Sequence, residues 1–185
     1  MGNLGEVLEG EKFVRVVEDS SPESPREWEN LGTMVCFSRS YSLGDRTDFI
    51  SGEYSNFEDL RADIVENGGK YIAPLYLYDH SGLSIKIGSW AGVAPHASWD
   101  SYPVGFIYTT DKMISDLGVN PDSVQKFLED EVKIYDKYLR GEVYGYQVVE
   151  KKICAHCGHN EEEVIDSCYG YYSEEDARNA GEELL

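Results

Sequence analysis

The sequence predicts an α+β domain built around a mostly antiparallel sheet with about four helices. Short apolar runs rich in β-branched and aromatic residues recur along the chain, and turn-forming residues separate them. Two longer segments space their apolar residues as a helix does, each behind a residue that caps helices well. The predicted elements do not alternate regularly between strand and helix, which is the order that a parallel sheet needs.

Six apolar segments predict strands. They are residues 13–17, 33–37, 71–78, 83–87, 104–108 and 143–150. Turn-forming residues from Asp79 to Gly82 separate the third and fourth segments, so these two predict a hairpin. Pro74 lacks a backbone N–H, which predicts an edge position or a bulge for the third segment. Residues 151–168 predict a second hairpin, which carries cysteines.

Four segments predict helices because a good N-cap residue precedes each of them. The caps are Asn56, Thr110, Asn120 and Ser173, and the helices run over 57–66, from 111 to Gly118, from Pro121 to Gly141 and over 174–184. The third helix has the clearest pattern, with a proline at its first position. Its apolar face is predicted to pack into the core and comprises Val124, Phe127, Leu128, Tyr135, Tyr138 and Leu139.

The length of 185 residues predicts an α+β core domain over 1–150. Residues 151–185 are predicted to form a cysteine hairpin and an acidic C-terminal helix packed on that core. No apolar run approaches the ~20 residues that cross a bilayer. The first twelve residues lack the charged start and apolar middle of a signal peptide. We therefore expect a cytoplasmic protein whose cysteines are reduced or metal-bound.

The charge of the chain is its most informative feature. Thirty-five acidic residues face sixteen basic ones, a formal net charge of −19. Residues 1–30 hold eight acids and three bases, and residues 158–185 hold nine acids and one base, so the two ends contribute −5 and −8. Such a field repels nucleic acid and anionic membranes and attracts basic surfaces. The alternative is that the acidic ends are only solvated.

The 151–168 hairpin predicts a structural zinc site. Cys154 and Cys157 form a Cys-x-x-Cys knuckle, which supplies two of the four ligands that tetrahedral zinc needs. Cys168 is the expected third ligand, and His159 or His156 the fourth. The alternative is a reduced hairpin with free thiols. Cys36 lies in an apolar segment and is expected in the core.

Two other groups of residues are candidates for function. Asp79 and His80 lie in a turn, and with Asp100 they predict an acid–base pair or a metal site; the alternative is that they only build a rigid turn. Arg26 and Trp28 lie in a proline-containing loop. They predict either an interaction anchor or a lock that holds the loop on the core through a salt bridge and ring packing.

Seven sequence blocks together carry a resemblance. They are SPREWENLGTMVC (24–36), YSLGD (41–45), LYLYDHSG (75–82), WD (99–100), VGFIY (104–108), VYGY (143–146) and DSCYG (166–170). The chain resembles a family of small proteins encoded by phages, prophages and other mobile elements. The resemblance implies a mobile-element origin and carries no established activity. Small acidic proteins encoded by such elements are often counter-defence factors, such as anti-CRISPR and antirestriction proteins. This analogy of genomic setting, which is not one of sequence, suggests a counter-defence role.

We expect the chain to act in a host cell by occupying the basic nucleic-acid-binding groove of a nuclease or CRISPR effector. Carboxylates would replace phosphates there, with aromatic rings as anchors, and direct binding of nucleic acid is not expected. The predicted contact residues are Glu161, Glu162, Glu163, Tyr171, Tyr172, Glu174, Glu175, Asp176, Glu182, Glu183 and Trp28. The alternative function is a small metal-assisted hydrolase or nucleotide-processing enzyme that uses Asp79, His80 and Asp100. A third is a phage protein whose acidity serves solubility alone.

Overall fold

The computed structural model describes residues 7–8, 10–154 and 158–185, with side chains described over 10–152 and 158–185. The chain divides into two compact units. Residues Ser24–Arg140 form the central unit, and Met1–Glu23 with Gly141–Leu185 form the terminal unit. The described residues contain five α-helices and two antiparallel sheets, which confirms the predicted α+β class.

The strands in chain order are β1 (Val7–Leu8), β2 (Lys12–Glu18), β3 (Thr33–Cys36), β4 (Gly69–Asp79), β5 (Leu83–Ile87), β6 (Ser101–Thr110), β7 (Tyr144–Cys154) and β8 (Asn160–Tyr171). The helices are α1 (Phe57–Glu66), α2 (Ala97–Asp100), α3 (Asp111–Asp116), α4 (Val124–Leu139) and α5 (Glu174–Glu182). Residue 150, the predicted end of the core domain, lies inside β7.

The sheet of the central unit has the strand order β3–β6–β4–β5, with every neighbouring pair antiparallel. The hairpin predicted from the Asp79–Gly82 turn is β4–β5. Pro74 lies one residue before the β4–β5 ladder, which begins at Leu75, and it pairs only with Phe106 of β6, so its place fits the predicted edge position. The register of β4 with β6 shifts between Lys70 and Ala73 and again between Leu75 and Tyr76, whereas Pro74 itself is in register between these two irregularities.

Helices cover both faces of this sheet. Met34 belongs to a buried cluster that contains Leu128 of α4, whereas its neighbour Val35 belongs to a second cluster with Leu60 of α1. Successive residues of a strand point to opposite faces, so α4 and α1 lie on opposite sides of the sheet. Phe127 does not join the core as predicted: it is 49% exposed.

The caps of these helices form as the sequence predicts. The side chain of Asn56 accepts hydrogen bonds from the backbone N–H groups of Glu58 and Asp59, at 2.8 and 3.1 Å, and thereby satisfies two orphan donors of α1. The helix predicted from Pro121 begins with a 3-10 turn over Pro121–Ser123, and α4 follows at Val124.

A buried ion network holds the loop before β3. The guanidinium of Arg26 donates two hydrogen bonds to Asp45, both at 2.8 Å, one to Glu131 of α4 at 3.1 Å and one to the carbonyl of Gly32 at 2.6 Å. The Arg26 side chain is only 4% exposed. Of the two interpretations of this loop, the structural lock therefore applies to Arg26.

In the terminal unit, β7 lies between β8 on one side and β1 and β2 on the other, all antiparallel. Helix α5 packs on one face of this sheet. At Gly181 an added Cβ atom would lie 2.7 Å from Val14 and 3.1 Å from Tyr146, so only glycine permits this close approach. Ser173 caps the helix, accepting from the N–H of Asp176 at 3.3 Å.

Across the described part of the chain, no helix combines the length and the apolar character that crossing a membrane requires.

Candidate functional site

Strand alternation sorts the acidic residues of the terminal unit between the two faces of its sheet. Val14 and Tyr146 contact α5, and cross-strand partners share a face. Val14 pairs with Val148, so Glu150 and Lys152, two and four residues further along β7, lie on the same face. Their β8 partners are Glu163 and Glu161. These side chains therefore lie on the face that carries α5.

We call this face of the sheet, together with α5 and its flanking residues, the acidic side. Among the residues that the structure describes, it holds ten acids and three bases. The acids are Glu18, Glu150, Glu161, Glu163, Asp166, Glu174, Glu175, Asp176, Glu182 and Glu183, and the bases are Lys12, Lys152 and Arg178. The whole terminal unit holds seventeen acids and five bases, a formal charge of −12, whereas the central unit has eighteen and eleven, a charge of −7.

The acids of α5 project into solvent. Ala177 and Gly181 are buried against the sheet, whereas Glu174, Glu175 and Asp176 are exposed in the first turn. Negative charge there complements the helix dipole, which accounts for part of their placement. All three residues are exposed, so another molecule can reach their carboxylates.

Glu162 is a correction to the predicted contact set. It pairs with Lys151 across β7–β8 and so lies on the opposite face of the sheet from Glu161 and Glu163. There it forms a salt bridge with Arg15, with Arg15 Nη2 and Glu162 Oε2 separated by 2.5 Å. Three consecutive glutamates in a strand cannot face one partner together. On the acidic side, Glu163 is paired with Lys152.

The predicted aromatic anchors differ in their surroundings. Tyr171 is half-buried, and its ring centroid lies 5.9 Å from that of Tyr146. It therefore contributes to the packing of the terminal unit. Tyr172 is also half-buried. Trp28 belongs to the central unit, where it is 44% exposed.

The strand register separates the predicted zinc ligands. Ile153 of β7 pairs with Asn160, so Cys154 lies at the hairpin end of the strand, whereas Cys168 pairs with Tyr146. Eight residues of strand separate Asn160 from Cys168, roughly 25 Å at the usual rise per residue. Because zinc ligands lie about 2.0–2.3 Å from the ion, Cys168 cannot share one zinc with Cys154.

The remaining ligands stay a prediction. Cys157 and His156 lie outside the described residues, as does the side chain of Cys154. His159 is described and is exposed beside the hairpin end. A zinc site there would use Cys154, Cys157 and His159 without Cys168. Within the described residues, no group of three or more histidine, cysteine or acidic side chains is placed to hold a metal ion.

The structure brings together His80 and Asp100, which are twenty residues apart in the sequence. His80 Nδ1 lies 2.9 Å from Asp100 Oδ2, and the two side chains are 47% and 28% exposed. When Nδ1 carries the proton and donates it to the carboxylate, Nε2 is left as an acceptor. This arrangement orients the imidazole as a general base. Asp79 is not part of the pair, because its carboxylate accepts a hydrogen bond from the hydroxyl of Tyr41 at 2.8 Å.

Aromatic rings surround this pair. The rings of Tyr78 and His96 stack beside that of His80, with centroids 5.8 and 5.9 Å away. His96 adopts a left-handed backbone with φ of 56°, which is uncommon for a residue other than glycine. Trp99 is 87% exposed.

Sequence reasoning missed Glu18, Glu150 and Asp166 as members of the acidic side, and His96 as a neighbour of His80. The alternation of side chains along 143–150 could have paired Glu150 with the face of Tyr146 and Val148. No local signal predicts His96, because its position depends on how the 88–100 loop folds against β4.

Comparisons with models of protein families, with curated proteins and with solved structures gave no match to the chain.

Proposed function

We propose that the chain is a counter-defence interaction protein whose acidic side occupies a basic nucleic-acid-binding groove on a host nuclease or CRISPR effector. The observation that supports this proposal is the gathering of ten acids against three bases on one side of the terminal sheet. A groove that binds nucleic acid is lined by lysine and arginine, which neutralise its phosphates. A rigid array of carboxylates can replace phosphates in such a groove.

The acidic side carries an energetic cost. Glu150 lies directly opposite Glu163 across β7–β8, where like charges are destabilising, and the salt bridge between Glu163 and Lys152 offsets part of that repulsion. The basic lining of a partner's groove would relieve this repulsion, so part of the cost would be recovered on binding. The residues expected to make contact are Glu161, Glu163, Glu174, Glu175, Asp176, Glu182 and Glu183.

The test compares two variants with the same change in net charge. The first neutralises four acids of the acidic side, and the control neutralises four exposed acids of the central unit. The acidic-side variant is Glu161→Gln, Glu163→Gln, Glu174→Gln, Glu175→Gln; the control is Glu27→Gln, Glu29→Gln, Glu53→Gln, Glu58→Gln. Each protein is immobilised and exposed to nuclease-treated bacterial lysate at low salt, and retained proteins are challenged with duplex DNA.

We expect the wild type and the control to retain nucleic-acid-binding proteins, which duplex DNA then displaces. The acidic-side variant should not retain them. Because salt screens contacts between exposed charges, the affinity should fall steeply between 50 and 200 mM salt. Salt-insensitive binding, or equal binding by the two variants, would contradict the proposal.

The contact between His80 and Asp100 favours a second candidate, hydrolysis with His80 as general base. In this proposal Asp100 orients the imidazole and Nε2 removes a proton from a water molecule. The water oxygen forms the new bond to the carbonyl carbon or phosphorus, the bond to the leaving oxygen breaks, and the protonated imidazole returns the proton to that oxygen. The step uses no metal, and the substrate would approach over the rings of Tyr78 and His96. Substitutions His80→Gln and Asp100→Asn should abolish hydrolysis of a reactive nitrophenyl ester or phosphodiester, and His159→Gln should not. Activity that survives His80→Gln would remove this candidate.

A further inference from the structure

A cleft of about 710 Å³ opens in the central unit. Its volume lies within the range typical of small-molecule sites, about 300–1,000 Å³. The lining residues are 36–40, 51, 54–57, 60, 102 and 103, which come from the end of β3 and the loop after it, the start of α1 and the start of β6. Neither His80 nor Asp100 lines the cleft, and the whole of the acidic side lies in the other unit.

The charge of this lining is opposite to that of the protein. Of the thirteen lining residues, Arg39 alone is charged at neutral pH. Burial raises the pKa of the Cys36 thiol to about 12, and the hydrogen bond to Asp63 raises that of Tyr54 to about 12, so both groups are neutral. No carboxylate lines the cleft, although the chain has thirty-five. A local positive charge without a lining carboxylate selects an anion.

Arg39 is available for a ligand. It is exposed, and among the residues that the structure describes it makes no hydrogen bond or ion pair. Two carboxylates accept hydrogen bonds from residues of the lining. Asp59 accepts from the backbone N–H of Ser55 and from the amide of Asn56, and Asp63 accepts from the hydroxyl of Tyr54 at 2.5 Å. Arg39 has no such partner, so its guanidinium can bind an anionic oxygen pair with two parallel N–H donors.

The rest of the lining suits a flat ring with polar substituents. Four aromatic side chains contribute, and the rings of Phe37 and Tyr54 lie nearly parallel, 6.0 Å apart at an angle of 20°. Tyr102 is 37% exposed, which leaves part of its ring for contact. Leu60 is fully buried beneath the cleft. The hydroxyls of Ser38, Ser40, Ser51 and Ser55 and the amide of Asn56 provide hydrogen-bonding groups around these apolar surfaces.

We infer that this cleft binds a small anion that carries a flat ring, of the size and chemistry of a nucleoside monophosphate. Arg39 holds the phosphate, the aromatic side chains pack against the base, and the serine hydroxyls bond the sugar and the base edge. This binding site is independent of the function proposed above, because the acidic side contributes no residue to it.

The experiment is calorimetric titration of the whole chain with the four common ribonucleoside monophosphates. The matching nucleosides and inorganic phosphate serve as ligand controls. The variants are Arg39→Gln and Tyr102→Ala, and Arg46→Gln is the matched control because Arg46 is exposed but does not line the cleft. Circular dichroism of each variant confirms that it folds.

We expect saturable binding of at least one monophosphate below about 1 mM, with its nucleoside and free phosphate each binding at least ten times more weakly. Arg39→Gln and Tyr102→Ala should each weaken binding about tenfold, which corresponds to about 1.4 kcal/mol, and Arg46→Gln should leave it unchanged. The inference is overturned if no monophosphate binds, if Arg39→Gln binds as the wild type does, or if free phosphate binds as tightly as the monophosphate.

Discussion

Replacing Arg26 with alanine should destabilise the protein severely, because it leaves two carboxylates without their cation. The guanidinium donates to Asp45 through two bonds, to Glu131 and to the carbonyl of Gly32. Removing one partner of a buried ion pair costs about 3–5 kcal/mol. That loss is a large part of the 5–15 kcal/mol that usually separates folded from unfolded chains. At roughly 2–4 °C per kcal/mol, the melting temperature should fall by about 6–20 °C.

The loss should also depend on pH in a defined direction. Burial already raises the pKa of Glu131 above its ordinary value, since desolvation outweighs the help of Arg26 and of the N–H groups of Leu31 and Gly32. Without Arg26 that pKa rises further. The folded state then binds a proton more tightly than the unfolded state, so stability is lost as pH rises through the folded pKa. The loss of stability caused by Arg26→Ala should therefore be largest at neutral pH. It should shrink as the pH falls towards about 4.3, the pKa of a glutamate in the unfolded chain.

Urea unfolding of the wild type and of Arg26→Ala at several pH values measures both effects. Arg46→Ala is the control, because Arg46 is exposed. The double variant Arg26→Ala, Glu131→Gln should regain part of the loss, since it removes one uncompensated charge while an oxygen remains to accept from Leu31. A free energy of unfolding within about 0.5 kcal/mol of the control would refute the reasoning. So would a penalty that does not change with pH.

Three further predictions concern packing and reactivity. Gly105→Ala should destabilise the central unit by about 2–5 kcal/mol, as urea unfolding can measure. The reason is that the added Cβ atom would lie 1.8 Å from the carbonyl oxygen of Val35, at a backbone φ of +154°. A loss under about 0.5 kcal/mol would contradict the register of β3 with β6. Iodoacetamide at pH 8 should modify the exposed Cys168 and spare Cys36, because burial raises the pKa of the Cys36 thiol to about 12 and keeps it protonated. Peptide mass mapping measures the labelling, and equal labelling of the two cysteines would contradict the burial of Cys36. Gly181→Val should cost about 1–3 kcal/mol because α5 lies too close to the sheet for a side chain, and a neutral effect would mean that the helix packs elsewhere.

Local signals predicted most elements of the fold. The caps at Asn56, Thr110 and Ser173 act as expected, and the 83–87 strand begins and ends where the pattern placed it. One error came from tertiary context. Phe127 is exposed although it falls near the apolar stripe of α4, since helical spacing does not say how wide a contact the sheet offers.

The candidate sites were predicted less completely than the fold. The sequence singled out Asp79, His80 and Asp100, but the contact that forms is between His80 and Asp100, and Asp79 turns to Tyr41. The sequence left the role of Arg26 open between an interaction anchor and a structural lock. Its contacts with Asp45 and Glu131, which are 19 and 105 residues away in the sequence, show that it is a structural lock. Interactions over such separations leave no local pattern, so only the folded chain identifies them.

The sequence by itself determined the α+β class, the strong negative charge and its concentration near the two ends, because composition and short-range periodicity are properties of the chain alone. Tertiary structure decided which carboxylates share a face. Glu161 and Glu163 lie beside α5, whereas Glu162 lies on the other face with Arg15. The reason is the two-residue period of a strand: its pairing register, which no single segment encodes, assigns every second side chain to one side of the sheet.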